Sequence, residues 1–550
     1  MSRIVFDNER PVAEVDPGRA DVACFVGLIR CNPGATISTA MQNWLTLHGW
    51  IGGPFARIFA PADGTAVPVL ACVDVPLPIE TYPTFTALFD AGGPTSSFGT
   101  DYVATAVRTF FAQGGKRCYV VRMDDPVVPK GATNLAAGVN IDDSSSRVVK
   151  LQKMLPSTVY GVDDQTGWHG VGHLAGLPEV SFLAMPDLPI LAASDVSGAA
   201  GAAPNPATGP EQFTVCSNED LTPETPVSYG PFAPRLLQSD YSGWMTGVWA
   251  VLQYLSTYGS SLREVQFVAA FPMPQDSDPA FAAETPVGAV TDIHAVVAQV
   301  MPENVMSPLL SEGISTAFLQ LTYPWLRTTG SSVLLEGLEP PDGALTGILA
   351  RNALTRGTFT SATKITPAEI YDVSPILPAQ ETTVPAMPLV WGSDANPSTV
   401  KPLIERFSLF GFTPAGMALL SDVTTYPGES YRPASIHRLV AVILRACRNL
   451  GQDVVFQQNG PTLWVRVQTF LRTLMTRLWQ ANALDGASAG DAFSVRCDRS
   501  TMTQNDLDNG RLVALVSFNA ASTIELIHVT LALQTSGTSS QTIAQLAEAS

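Results

Sequence analysis

Charged residues are scarce in this sequence, and basic residues are the scarcer kind. Of 550 residues only 15% are charged, and 31 lysines and arginines against 49 aspartates and glutamates leave a net charge of −18. Because phosphate contacts need lysine and arginine, this balance argues against a protein that binds nucleic acid or an anionic membrane. Apolar residues reach 46%, which excludes disorder throughout and favours large cores or surfaces covered by neighbours.

Cysteine is also scarce, and its spacing fits neither a metal site nor a disulfide scaffold. The seven cysteines are an odd number, and no two of them form a C-x-x-C pair. A disulfide framework and a structural zinc site therefore both lose support. We interpret the cysteines as buried thiols of a reducing compartment: Cys24, Cys31, Cys72, Cys118, Cys216, Cys447 and Cys497.

Long hydrophobic runs are missing as well. No window approaches the roughly 18 uninterrupted apolar residues of a membrane-spanning helix, so none is expected. The first residues carry Asp7, Glu9 and Glu14 and lack the apolar core of a signal peptide. We therefore expect synthesis and folding in the cytoplasm without a signal peptide. The length suits about two to four domains.

Two short patterns resemble catalytic or phosphate-binding motifs but are incomplete. Ser488 lies in a Gly-x-Ser-x-Gly string, yet a predicted helix ends before it and a predicted strand begins after it. A nucleophile elbow needs the opposite order, so a loop of small residues is favoured. Gly114, Gly115 and Lys116 lack both the earlier glycine and the following Ser or Thr of a phosphate-binding loop.

Two candidate metal sites are also weak. Asp506 and Asp508 begin a pattern typical of a calcium loop, but the position of its final glutamate is occupied by Ser517. A turn at Asn509-Gly510 is favoured instead. His169 and His173 have i, i+4 spacing, but neighbouring glycines disfavour the helix that would bring them together. We expect no catalytic residue, no metal site and no cofactor.

The densest regular patterning lies in residues 435–533. A first helix is predicted from Ser435 as its N-cap to Gly451 as its stop, followed by a short strand at 453–457. Apolar residues recur along it with the helical period: Ile436, Leu439, Val440, Ile443, Leu444 and Leu450.

A second helix is predicted to open at Asn459-Gly460-Pro461, where proline fits the first turn. Its apolar row is Trp464, Val467, Phe470, Leu471, Leu474, Met475, Leu478 and Trp479, and beside that row lie Arg466, Arg472 and Arg477. Three strands are predicted after it, at 493–497, 511–518 and 524–533.

Earlier parts of the chain alternate between strand and helix patterns. Strands are predicted at 21–29, 118–123, 180–185 and 265–271, and helices at 102–111 and 244–258. This alternation is typical of an α/β layer. Residues 374–399 are rich in proline and are predicted to be a linker.

Several strings in this pattern match one family in order and spacing. The most specific are Phe-Phe-x-x-Gly-Gly-x-Arg-Cys-Tyr-Val-Val-Arg (110–122), Thr-Tyr-Pro-Trp-Leu (322–326), Leu-Trp-Val-Arg-Val (463–467) and Ala-Phe-Ser-Val-Arg-Cys-Asp (492–498). The chain resembles contractile tail sheath proteins over about 78–123, 180–187, 315–357 and 432–533. The family's N-terminal arm text is absent, and the sequence departs from the family after Gly357.

The resemblance implies an α+β or α/β multidomain chain with a sheath-type fold. In such a fold a conserved C-terminal α/β domain is completed by N-terminal strands, and an α/β domain forms the middle. The implied divisions are an N-terminal arm and first strand (1–30), middle α/β domain(s) with loop insertions (31–373), the linker (374–399), the inner, tube-facing C-terminal domain (400–533) and a flexible tail (534–550).

The implied function is mechanical rather than enzymatic. Sheath subunits polymerise as helical hexameric rings around an inner tube and contract to drive that tube through a target envelope. The implied partners are neighbouring sheath subunits, the inner tube protein, and baseplate and tail-terminator or cap proteins, with no nucleic acid and no membrane insertion. The chain would then belong to a phage tail or a released phage-tail-like particle.

The resemblance also implies two sets of contact residues. Strands at the chain ends would be shared between subunits: Ile4, Val5, Phe6, Ile524, Leu526, Ile527, Val529, Leu531 and Leu533. Arg466, Arg472 and Arg477 would contact the inner tube, against the alternative that they are solvent-exposed or form local ion pairs.

Two other functions stay open. A minor baseplate-proximal or cap paralogue would explain the missing arm text. An α/β enzyme would need a nucleophile, a base and an orienting group, and the sequence offers no such set.

Overall fold

The computed structural model of this chain contains two hydrophobic cores within the residues that it describes. The residues described are 19–52, 58, 66–89, 100–127, 144–157, 160–162, 164–194, 233–257, 261–275, 293, 296–297, 316–377, 382, 402–454 and 457–521, with backbone alone for 527–533 and 542–543. No helix among these residues is long and apolar enough to cross a membrane.

Strands and helices alternate through much of the described part of the first four hundred residues, as predicted. The strands are β1 (Val22–Leu28), β2 (Pro76–Ile79), β3 (Cys118–Asp124), β4 (Val180–Ala184), β5 (Arg235–Leu236), β6 (Gln266–Ala270), β7 (Met273–Pro274), β8 (Leu319–Tyr323), β9 (Trp325–Thr328), β10 (Ile370–Ser374), β11 (Ser408–Thr413), β12 (Gly416–Leu419), β13 (Phe493–Arg496), β14 (Leu512–Phe518), β15 (Ile527–Leu533) and β16 (Thr542–Ile543).

Eleven α-helices lie within the described residues. They are α1 (Thr39–Leu47), α2 (Tyr82–Leu88), α3 (Tyr102–Ala112), α4 (Ser144–Met154), α5 (Leu188–Ala192), α6 (Gln238–Leu255), α7 (Asp342–Thr355), α8 (Ala434–Val454), α9 (Pro461–Gln480), α10 (Ala489–Ala492) and α11 (Gln504–Asp508).

A mixed sheet of eight strands forms the first core, in the order β12-β11-β8-β6-β4-β1-β3-β2. Its six inner strands are parallel, and β2 and β12 pair antiparallel at the two edges. All seven residues of β1 are buried, as expected of a strand covered on both faces. The predicted α/β layer is therefore confirmed.

Two helices pack unusually closely against each other beside this sheet. A Cβ atom at Gly343 of α7 would lie 2.6 Å from Ala106 of α3, and one at Gly347 would lie 2.6 Å from the carbonyl oxygen of Phe110. These distances are below van der Waals contact, so glycine is required at both positions for the helices to meet.

The second core is built from α8, α9 and a four-stranded antiparallel sheet in the order β13-β14-β15-β16. Predicted strands at 493–497, 511–518 and 524–533 correspond to β13, β14 and β15. The strands β11 and β12, which precede α8, belong to the large sheet instead. The domain boundaries given above stay predictions.

The first C-terminal helix is longer than the sequence pattern indicates. It begins at Ala434, so Ser435 lies inside it, and it continues through Gly451 to Val454. The predicted stop at Gly451 and the strand assigned to Asp453 and Val454 are wrong. A glycine inside a helix costs about 1 kcal/mol. Burial of Leu450 and Val454 in the second core outweighs that cost.

Candidate assembly surfaces

The helix α9 has one buried and one exposed side. It begins as predicted, with Gly460 in extended conformation at the N-cap and Pro461 in the first turn. Its buried row is Leu463, Val467, Leu471, Leu474, Met475 and Leu478. The row packs into the second core, which leaves the other side of the helix open to solvent.

We call the exposed side of α9 the arginine face, formed by Val465, Arg466, Thr469, Arg472, Thr473 and Arg477. The helix contains no aspartate or glutamate. Arg466 Nη1 donates a hydrogen bond to Gln457 Oε1 at 3.2 Å. Arg472 has no hydrogen-bond or ion-pair partner within the described part of the chain. The three predicted arginines thus share one surface with no carboxylate on their own helix.

The threonines give this face an apolar component. The hydroxyl of Thr469 donates to the carbonyl of Val465 at 2.7 Å, and that of Thr473 donates to the carbonyl of Thr469 at 2.8 Å. Because the hydroxyls are bound to their own helix, the methyl groups remain for a partner to contact. The side chain of Val465 is 61% exposed. The face therefore suits a partner that offers carboxylates around an apolar spot.

The C-terminal sheet includes the predicted exchange strand. β15 pairs with β14 from Leu512–Leu533 to Phe518–Ile527 without a register shift. Ile527, Val529, Leu531 and Leu533 lie in β15, which the structure describes by its backbone. The other predicted exchange residues lie outside the described residues: Ile4, Val5, Phe6, Ile524 and Leu526.

The two outer strands of this sheet differ. Across from β15, strand β16 has only two residues. On the far side, β13 pairs with β14, and Gln468 of α9 donates from Nε2 to the carbonyl of Val495 at 3.1 Å. A side-chain amide of α9 thus occupies one backbone acceptor of β13.

A row of arginines joins α8 to the large sheet, with Arg438 and Arg445 buried and Arg448 half-buried, and the sequence reasoning missed it. Arg438 makes a two-point ion pair with Asp422, with Nη1–Oδ1 at 3.0 Å and Nη2–Oδ2 at 2.6 Å. Both Arg445 and Arg448 bind Glu264, which precedes β6. The arginines are seven and three positions apart, so they lie on one side of the helix. This spacing is the feature of the sequence from which a shared arginine side of α8 could have been predicted.

Asp422 is held as a carboxylate in the interior. Burial alone would raise its pKa, but the charge and hydrogen bonds of Arg438, with donors from the Ala362 backbone and Gln320, hold that pKa below its usual value. The backbone N–H of Ala362 lies 2.8 Å from Oδ2, and Gln320 Nε2 lies 2.9 Å from Oδ1. The pair is therefore both charged and fully hydrogen-bonded.

The structure also locates the residues of the rejected motifs. Ser488 is the N-cap of the one-turn helix α10, and its hydroxyl lies 2.7 Å from Asp491 Oδ2. Asp506 forms the same kind of capping box with Thr503 at the start of α11. These side chains have local structural partners. The described residues hold no group of three or more potential metal ligands.

The two histidines with helical spacing do not face each other. His169 is half-buried and its Nδ1 lies 3.1 Å from the Lys153 carbonyl oxygen, whereas His173 is buried. Trp50 donates from Nε1 to His173 Nδ1 at 3.2 Å, and His173 Nε2 lies 2.9 Å from Asp74 Oδ1. Because tryptophan can only donate, Nδ1 accepts and Nε2 carries the proton towards Asp74. The sequence did not predict this buried network.

Comparison with known proteins identifies the fold. No protein-family model matches the sequence, and no curated protein matches it significantly. Among solved structures, the helical sheath of the anti-feeding prophage in its contracted state matches with a TM-score of 0.50 and 16% identity, over 95% of this chain and 96% of that one. This chain has a sheath-type fold.

Two other solved structures match with lower TM-scores. The PVC sheath complex of an extracellular contractile injection system, in its contracted state, gives 0.49 at 14% identity, over 96% of each chain. A sheath tail protein from Desulfitobacterium hafniense gives 0.41 at 11% identity, over 96% of this chain and 100% of that chain. The match at a TM-score of 0.50 confirms the sheath-type fold that the sequence resemblance implies.

Proposed function

We propose that this protein is a structural subunit of a contractile sheath, in a phage tail or a released phage-tail-like particle. The observation that carries the proposal is the sheath-type fold along 95% of the chain. Subunits polymerise as helical hexameric rings around an inner tube and contract to drive it through a target envelope. Contacts that do not close on themselves generate such a helix. Its role is mechanical and needs no catalytic group.

Strand exchange at the chain ends links the subunits in this proposal. The shared residues are Ile4, Val5, Phe6, Ile524, Leu526, Ile527, Val529, Leu531 and Leu533. Support comes from the β14–β15 register, whose seven backbone pairs a copy of the same strand from a neighbour can make equally well. Removing residues 520–550 is expected to leave monomers or short rings. Full-length sheaths from that truncation would refute the exchange.

The arginine face contacts the inner tube in this proposal, through Arg466, Arg472 and Arg477. Support comes from their exposure and from the lack of a carboxylate on α9. Each exposed ion pair contributes only about 0.2–1 kcal/mol. Many weak pairs repeated along a tube set the register of assembly and still release when the sheath contracts.

A second candidate is a minor baseplate-proximal or cap paralogue with the same fold. The missing N-terminal arm text of the family favours it, because a ring at the end of a sheath has a neighbour on one side only. In either role the partners are other sheath subunits, the tube and end-capping proteins. The domain divisions at 30, 373, 399 and 533 belong to the same proposal.

Sedimentation and negative-stain microscopy of the purified full-length protein, with and without inner tubes from the parent particle, test the function. We expect tubular polymers several rings long on the tubes. Single rings confined to tube ends would support the minor-paralogue role. A protein that stays monomeric at high concentration with tubes present would contradict both roles.

A further inference from the structure

A single side chain ties the start of the described chain to three other segments. Arg445 of α8 is buried, and its Nη1 donates to the carbonyl oxygen of Arg19 and to Ser181 Oγ, the latter at 2.9 Å. Its Nη2 donates to the carbonyl of Val180 at 3.0 Å, and its Nε to Glu264 Oε2 at 3.2 Å. The guanidinium thus joins the segments that precede β1 and β6 to the first residues of β4.

Arg19 is held from its other side as well. Its guanidinium makes a two-point ion pair with Asp21, with Nε–Oδ1 at 2.9 Å and Nη2–Oδ2 at 2.7 Å. The side chain of Asp21 is 1% exposed. The carbonyl of Arg19 is therefore held by α8, and its side chain by Asp21, the residue before β1.

The strand that follows Arg19 is β1, which pairs with β3 on one side and β4 on the other. A pull along its axis loads both ladders together, so many backbone hydrogen bonds must break in one step. The Arg445 contact passes part of the same load to α8. The other side of α8 packs into the second core.

We propose that Arg445 and residues 19–21 form an anchor that passes tension on the N-terminal segment to both cores of the subunit. The inference rests on the proposed function, in which that segment is shared with a neighbouring subunit. Arg445 acts here as a positioning residue. It fixes residue 19 to both cores, so a pull that reaches residue 19 moves the subunit as a whole.

Arg448 provides a matched control because it lies on the same side of α8 and also binds Glu264, at 2.8 Å from Nε. Its other partner is the carbonyl of Pro178 rather than that of Arg19. The variants Arg445→Lys and Arg448→Lys each keep the positive charge and lose the planar fork. Only the first removes the contact to Arg19.

The test on the monomer is trypsin cleavage after Arg19, followed by mass spectrometry of the fragment that begins at Ala20. We expect Arg445→Lys to speed this cleavage by roughly tenfold to a hundredfold, the factor for one hydrogen bond from a charged donor. Arg448→Lys should cleave at the wild-type rate. Equal acceleration in both variants, or none in Arg445→Lys, would overturn the anchor.

If Arg445→Lys fails to fold, Asp21→Asn tests the same point without touching α8. It weakens the hold on Arg19, so cleavage should again accelerate, and an unchanged rate would count against the anchor. In assembled sheaths, Arg445→Lys should give shorter polymers than Arg448→Lys under the same shear. Equal lengths would contradict the mechanical role. If the wild-type protein does not polymerise, the proposed function fails, while the trypsin result still decides whether the anchor exists.

Discussion

Arg438 of α8 and Asp422, which follows β12, form an ion pair whose side chains are 4% and 1% exposed. Asp422 also accepts hydrogen bonds from Gln320 in β8 and from the backbone of Ala362. One carboxylate therefore connects the large sheet to the helix on which the second core is built. This junction and that of Glu264 each link the two cores.

Breaking this pair from one side should strongly destabilise the protein. We expect Asp422→Asn or Arg438→Met to cost about 3–5 kcal/mol, because each leaves an uncompensated polar or charged group in the interior. Urea denaturation would measure the loss. Arg472→Met on the exposed face is the control and should stay within about 0.5 kcal/mol of wild type. A loss below 1 kcal/mol in both junction variants would contradict the assignment.

The same carboxylate makes a prediction for acid. The folded pKa of Asp422 is lowered against its usual 3.8. Its contribution to stability is therefore fully present above the usual pKa of 3.8, and it is lost as pH falls through the lower pKa of the folded state. Wild-type protein should lose more stability than Asp422→Asn when the pH is lowered from about 5 to 3. Equal losses of stability in the two proteins would show that protonation of Asp422 does not contribute to acid unfolding.

Two buried acids predict the opposite response, a loss of stability as pH rises towards 8. Burial raises the pKa of Glu339 from 4.5 to about 8 and that of Asp342 from 3.8 to about 7. The folded state holds these protons more tightly than the unfolded state, so stability should fall as pH rises from about 4.5 to 8. Glu339→Gln keeps the size of the side chain but removes its ionisable group. Stability of this variant should therefore fall less steeply with rising pH. Denaturant midpoints measured between pH 5 and 9 would check it, and an unchanged slope would contradict it.

Close packing of α3 and α7 predicts a contrast between two glycines. A Cβ at Gly347 would lie 2.6 Å from Phe110 O, whereas one at Gly243 in α6 meets nothing within 4 Å. We expect Gly347→Ala to cost about 1–3 kcal/mol through overpacking. Gly243→Ala should instead gain about 0.5–1 kcal/mol, since alanine is the better helix former. Equal stabilities of the two variants would rule out the close approach.

Charge reversal of the arginine face should weaken assembly without unfolding the subunit. The triple change of Arg466, Arg472 and Arg477 to glutamate is expected to reduce polymerisation on inner tubes, most clearly at low salt. The matching triple change to lysine keeps the charge and should assemble nearly as well as wild type. Co-sedimentation with tubes would measure both. If the glutamate variant assembles like wild type at low and moderate salt, the tube-contact assignment is wrong.

The sequence predicted the local elements better than the contacts between them. Period-2 and period-3.6 patterns located β1, β3, α9 and the C-terminal strands because each has one face, or both, in a core. The end of α8 was missed because Gly451 is a local stop signal. Burial of Val454 in the second core stabilises the helix beyond that glycine, and this contact cannot be seen in the local sequence. The arginine row was missed because Glu264, the partner of Arg445 and Arg448, lies far from both in the sequence. Only Asp422 lies near its own partner, Arg438.

Helical reconstruction by electron microscopy of the full-length protein assembled on inner tubes tests the central claim most directly. The account predicts rings of this subunit stacked around the tube in a long narrow form, and a shorter, wider form after contraction. In both forms the two cores should keep the junctions of Arg438 and Arg445 intact. Filaments of a single fixed geometry, or an absence of any polymer on tubes, would contradict the account.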